Sequence, residues 1–131
     1  MKELWNTIQC VFMTTREWLG WFLGGYDELL YTLLIFVIVN YVTSIMCDII
    51  DKKLFSKGGF KGIVSKSLIF VLVGISNVLD TQVVVGLNSA LRTVIILFYI
   101  SNEGVSFLQN TKRLGLPIPK KLRDILEQLQ E

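Results

Sequence analysis

Apolar residues gather in three long blocks along the chain, with polar breaks between them. The first, residues 29–47, reads LLYTLLIFVIVNYVTSIMC and has no charge in nineteen positions. At about 1.5 Å rise per residue, that is enough helix to cross a hydrocarbon core of about 30 Å. The second block, residues 63–79, is shorter and recruits its Lys66 end by letting the ammonium snorkel toward water. The third, residues 83–100, carries Arg92 near its middle. Asp80-Thr81-Gln82 predicts a polar hinge between the second and third blocks. Gly115-Leu116-Pro117-Ile118-Pro119 then breaks the helical pattern.

The ends of the chain are amphipathic. Residues 4–23 mix Leu4, Trp5, Ile8, Val11, Phe12, Trp18, Leu19, Trp21 and Phe22 with polar residues at roughly helical spacing, and hold every tryptophan of the chain. Indole prefers the headgroup level, so an interfacial helix is the preferred reading and a fourth buried helix the other. Arg16-Glu17 interrupts the apolar residues and no Ala-x-Ala-like site follows, so the segment is read as retained and not as a signal peptide. Past the prolines, Leu122, Ile125, Leu126 and Leu129 recur at i, i+3, i+4, i+7, as in a short amphipathic helix. The pattern predicts an all-α integral membrane protein with three transmembrane helices, an N-terminal interfacial amphipathic helix and a short C-terminal amphipathic helix. It forms one membrane domain over 1–131: leader 1–26, spans 29–48, 62–79 and 83–103, cytoplasmic tail 104–131.

Composition agrees. Hydrophobic residues make up 52% of the chain and charged ones 18%, against about 25% charged in an ordinary soluble domain. There is no His, and Cys10 and Cys47 lie far apart, so a zinc site, a Cys–His nucleophile and a disulfide framework all lack raw material. No nucleophile–base pair or phosphate loop can be assembled either. The chain is therefore read as a non-enzyme without cofactor or metal. A net charge of +2 makes no case for nucleic acid; the expected partner is the lipid bilayer.

Lys and Arg near the span ends set orientation. Residues 48–66 carry lysines 52, 53, 57, 61 and 66, and the tail carries Lys112, Arg113, Lys120, Lys121 and Arg123. Residues 1–28 hold two bases and four acids, and the 80–82 hinge holds no base. Three spans with the N-terminus outside place both basic segments in the cytoplasm.

The informative residues are the polar ones inside the spans. At about 100° per residue, Thr81, Asn88, Arg92, Tyr99, Glu103, Ser106 and Asn110 form a narrow stripe, opposite Val84, Leu87, Val94 and Leu97. On the first span Asn40, Thr43, Ser44, Cys47, Asp48 and Asp51 follow the same rule, and on the second Lys66, Asn77 and Asp80 share a face. A charge at mid-membrane costs about 2.5–3.5 kcal/mol on insertion scales, so Arg92 needs something to offset it. Asp80 and Glu103 are not level with it in this reading, which points to a partner from another chain or to water. Three roles stay open for the stripes: gluing helices together, facing a lumen, or letting Arg92 snorkel to a headgroup.

From Lys53 onward the sequence resembles the phage-lysis and toxin-secretion holin family of small membrane proteins. The strongest match is Phe98-Tyr99-Ile100-Ser101-Asn102-Glu103, continuing through Ser106, Asn110, Gly115, Pro117 and Pro119 to Leu122. A second is Ser56-Lys57-Gly58-Gly59-Phe60-Lys61-Gly62 with Lys66, before an apolar stretch that ends in Asp80. Arg92-Thr93 fits as well. The first span departs from the family pattern: Asn40-Tyr41-Val42-Thr43-Ser44 stands where Asp-Tyr-x-Thr-Gly is expected.

The resemblance implies a protein of the bacterial cytoplasmic membrane that homo-oligomerises and then opens a timed lesion. A functional link to an endolysin or secreted toxin follows. Asn77, Asp80, Asn88, Arg92, Tyr99, Glu103, Ser106 and Asn110 are the expected oligomer or lumen-facing stripe. The alternatives are an antiholin, or a small membrane adaptor whose tail helix docks a cytoplasmic partner.

Overall fold

The computed structural model describes residues 1–51, 58–84 and 89–130. Lysines 52, 53 and 57, Ser56, Leu87 and Asn88 lie outside the described residues. The described residues are 88% helical and include no strand. Its elements are α1 (Lys2–Leu23), α2 (Glu28–Ile50), α3 (Gly58–Val78, running on into a π-helical turn Leu79–Val83), α4 (Ala90–Arg113) and α5 (Lys120–Gln130). Three stretches are long and apolar enough to cross a membrane: Glu28–Ile50, Phe60–Val83 and Ala90–Arg113.

The boundaries differ from the sequence pattern in one informative place. Asp80-Thr81-Gln82 is not a hinge but a π-helical continuation of α3, and α4 begins only at Ala90. The reason is local hydrogen bonding: the Asp80 carboxylate accepts from the backbone N–H groups of Leu91 and Arg92 and so caps α4 from the neighbouring helix. Ser89, in the cap position itself, takes a left-handed φ of 65° and makes no side-chain cap. At the other end, residues 104–113 belong to α4, so the span region runs about ten residues past Glu103.

α4 is the central helix, packed against α2, α3 and α5, whereas α2 and α3 touch each other little. Side-chain pairings run start to start and end to end between α2 and α4, so these two are parallel and α3 is antiparallel to them. The two ends of the bundle are conveniently named by Asp27 and Asp51. Leu33, Val73 and Ile96, one from each spanning helix, are fully buried, with Leu30, Val37, Ile69 and Ile100 around them. The outward positions Leu34, Ile38, Val42, Val64, Leu68, Val71, Val94 and Phe98 are all exposed and apolar. That is the surface a lipid chain solvates.

α1 is not a fourth buried helix. Its residues 2–19 are exposed, Trp5, Phe12 and Trp18 among them, and only its C-terminal end packs, mainly on α3. There Phe22 stacks on Trp18 and lies over Gly74, leaving no room for a β-carbon at that position. Gly24, at a left-handed φ of 85°, ends the helix, and Tyr26 folds back to donate its hydroxyl to the Arg16 carbonyl. Replacing Gly74 by Val is expected to lower stability by about 1–3 kcal/mol, the usual cost of overpacking, by expelling the Phe22 ring. Gly62→Ala, whose methyl would meet the Tyr41 ring at 3.3 Å, should cost less. Thermal melts in detergent micelles check the order.

Candidate functional site, a polar column inside the bundle

Lipid offers no hydrogen bonds, so every polar group within a span must find a partner in the protein. Here the polar residues of α2, α3 and α4 turn inward and meet in three tiers. No buried side-chain nitrogen or oxygen among the described residues lacks a partner.

The tier at the Asp27 end ties α1 to the spans. α1 has no base in its last turn, so its final carbonyls need donors from elsewhere. Asn77 of α3 donates its amide to the Trp21 and Phe22 carbonyls, at 3.2 and 3.1 Å. Arg92 donates Nε to the Leu23 carbonyl at 2.6 Å and Nη2 to that of Gly25 at 3.2 Å. Its Nη1 meets the Asp27 carboxylate at 2.7 Å. Asp27 also caps α2 by accepting from the Leu30 N–H. A β-carbon on Gly24 would lie 2.6 Å from both Arg92 Nε and Asn77 Oδ1, so this glycine is needed for close approach as well as for its φ.

The partner for Arg92 is therefore Asp27 of the same chain, not another chain or water. Because α4 starts at Ala90, Arg92 sits in its first turn and not at mid-span. The guanidinium holds the Asp27 carboxyl below its ordinary pKa of 3.8.

The middle tier lies deep. Glu103 and Asn40 are each ten residues, or about 15 Å, from the Asp51 end of their helices. Lys66 Nζ bridges both Glu103 oxygens, at 2.7 and 2.8 Å, and the Asn40 amide donates to the same carboxylate. The Glu103 side chain is 3% exposed and that of Lys66 27%. In the third tier the Asn110 amide donates to Asn40 Oδ1, Thr43 Oγ1 and Ser44 Oγ, at 3.0, 3.1 and 2.9 Å. Cys47 Sγ lies 3.6 Å from the Asn110 carbonyl, and Arg113 pairs with Asp51 at the bundle's edge.

Of the stripe residues, Asn77, Asp80, Arg92, Glu103 and Asn110 thus meet partners inside one chain. Tyr99 packs against the core beside Phe98, and Ser106 is half-buried. Asn88 lies outside the described residues. The motif residues divide: Glu103 is buried, while Asn102, Pro117 and Pro119 are exposed and Gly115 makes a left-handed turn at φ 94°. Sequence reasoning missed Asp27, which it counted only as a leader acid. Its position just before Glu28 and the apolar run 29–47, where an N-cap Asp followed by a first-turn acid is favoured, was the available signal. Among the described residues no three His, Cys, Asp or Glu are grouped to hold a metal ion.

A model of the bacteriophage holin family matches residues 17–131. The chain belongs to that family. The match reaches back well before Lys53, so it takes in α2 and the end of α1 as well as the segments that carry the resemblance. This is a membrane-permeabilising, non-enzymatic family, and the chain is a multi-pass membrane protein. An uncharacterized 14.9 kDa protein of Clostridium perfringens is 37% identical over 98% of this chain and 97% of its own length. A protein named probable holin, from Bacillus phage phi105, is 32% identical over 83% of this chain and 79% of its own. Uncharacterized protein YqxH of Bacillus subtilis is 36% identical over 83% and 76%. No solved structure matches the chain.

The polar column leads to outcomes that can be measured. Glu103→Ala strands Lys66 and Asn40, and should destabilise by on the order of 3 kcal/mol, less whatever Lys66 regains from solvent. The double variant Lys66→Met/Glu103→Leu should recover most of that loss, because an apolar pair replaces a buried ion pair at little cost; circular-dichroism melts read both. Asp27, with its depressed pKa, contributes stability that is complete above pH 3.8 and disappears as pH falls through the lowered value. Asp27→Asn should remove this acid-limb loss while keeping the helix cap, seen as a flatter profile of melting temperature against pH.

Proposed function

We propose that this chain is a holin that assembles with copies of itself in the bacterial cytoplasmic membrane and opens a timed lesion, through which an endolysin or a large toxin leaves the cell. The observation that carries the reading is a family member whose polar groups are satisfied inside one chain, within a sleeve of exposed apolar side chains. Such a monomer can accumulate in lipid without leaking.

The same groups give a route to a lesion. Each internal hydrogen bond is worth only about 0.5–1.5 kcal/mol net against water, so helices that separate beside an aqueous space lose little when water takes over the partners. In lipid the same separation would expose Glu103, Lys66 and Asn110 to hydrocarbon. Arg92, Asn88 and Glu103 would then face the lumen. The column is therefore a brake in lipid and a lining in water. Assembly of many copies supplies the change of surroundings.

Orientation with the N-terminus outside is supported by Lys61, Lys112 and Arg113 near the Asp51 end, against Asp27 and Glu28 at the other. α1 would lie along the outer leaflet with its tryptophans at headgroup level.

Induced expression in a bacterium, with culture density and membrane potential followed, tests the reading. Abrupt depolarisation, with lysis only when a cytoplasmic endolysin is co-expressed, is the expected outcome. Cells that keep growing with the protein in their membranes would turn the assignment to an antiholin. Arg92→Leu, which frees α1 and the start of α2, should shift the time of depolarisation.

A further inference from the structure

α5 occupies a place that lipid should not tolerate. The connector 114–119, with Gly115 at a left-handed φ of 94°, lets the chain reverse, and α5 packs back along α4. Leu126 is buried, and its two methyl groups lie 3.0 Å from where a β-carbon on Gly104 would stand. The edge of Phe36 is 3.1 Å from the same point. Gly104 is nine residues, about 14 Å, from the Arg113 end of α4, and Phe36 is the eighth of the nineteen uncharged residues 29–47 of α2. The seat of Leu126 is therefore near the middle of a bilayer about 30 Å thick.

The other face of α5 is charged. Lys120, Lys121, Arg123, Asp124 and Glu127 are all exposed, with Arg123 and Glu127 paired at 3.1 Å. With α5 seated and the α2–α4 groove turned to lipid, Asp124 and Glu127 would stand in hydrocarbon beside a span, where ionised side chains are strongly disfavoured. With the groove turned to water, the same seat covers apolar surface and leaves the charges solvated. Phe36, Val39, Phe107, Leu108 and Leu122 line an apolar cavity of about 230 Å³ beside Leu126, the buried residue of α5 among those whose side chains are described.

We infer that α5 is a strap that seats on the α2–α4 groove only when that groove borders water, and that it is released into the aqueous phase when the groove borders lipid. The groove is thus the face of the bundle that turns to the aqueous space, and its occupant there is the chain's own α5. This rests on the reading that the protein comes to border a lesion.

The test is a thiol cross-link in the full-length chain. Ile35→Cys with Leu122→Cys, in a Cys10→Ser/Cys47→Ser background, leaves Leu126 in its seat and puts two exposed sulfurs on the lining of the same cavity. A short membrane-permeant bis-maleimide is pulsed onto expressing cells while membrane potential is recorded, and the bridged peptide is quantified by mass spectrometry. Yield should be low in polarised cells and rise by about tenfold or more once the potential collapses. Equal yield before and after collapse overturns the strap.

If the potential never falls, the lesion reading fails on its own; a high yield in those polarised cells overturns the strap too, and a low one supports release in lipid. A second variant separates release from simple misfolding. Adding Arg123→Leu, Asp124→Leu and Glu127→Leu makes the outer face of α5 apolar and should raise the yield in polarised cells. No rise would show that lipid exclusion of charge is not what frees the helix.

Discussion

The carboxylate of Glu103 sets the terms for this bundle. It lies about fifteen ångströms from the nearer end of α4, where water cannot reach it and an unpaired charge would be intolerable. Lys66 from α3 and the Asn40 amide from α2 both come to it. One side chain therefore gathers all three spanning helices. In water, apolar burial would drive their association, but lipid tails are as apolar as leucine, and the choice of neighbours falls to packing and polar contacts. The low dielectric around Glu103 makes this contact decisive: α2 and α3, which barely touch, are held in common through α4.

A second constraint governs the Asp27 end. The last turn of α1 leaves carbonyls without donors, and a helix cannot supply them from within. Arg92 and Asn77 do so from α4 and α3, and Asp27 neutralises the guanidinium while capping α2. Gly24 is the residue that lets these groups come so close. An arginine that looks costly in a membrane segment is here a fastener at the segment's end. Its charge is met within one chain, and its donors complete a neighbour's backbone.

These two arrangements give a molecule that is apolar outside and polar inside, consistent with a family whose members permeabilise membranes without catalysis. Groups that are satisfied internally can be satisfied equally by water. Hydrocarbon satisfies neither requirement. The state of such a bundle is thus governed by what surrounds it, and α5 carries the same division in a peripheral element, with a buried leucine on one side and exposed charges on the other.

Much of this was written in the order of residues. The uncharged run 29–47, the period of Leu122, Ile125 and Leu126, and the Gly-Leu-Pro-Ile-Pro break determined the helices, because span length and amphipathic period are local properties. The polar stripe was also visible, since Arg92, Glu103 and Asn110 share a helix face by spacing alone, and the holin resemblance lay in residues such as Asn102, Glu103 and Gly115. Which stripe residues meet was decided only by the tertiary structure. Asp80 caps α4 from the end of the preceding helix, and α4 starts only at Ala90, so Arg92 is carried from mid-span to the first turn and into reach of Asp27. Hydrogen bonds between helices fix relative depth, and depth is not a property of any single segment. The sequence alone determined that the polar residues share one face of each helix; packing determined that those faces turn inward and meet one another.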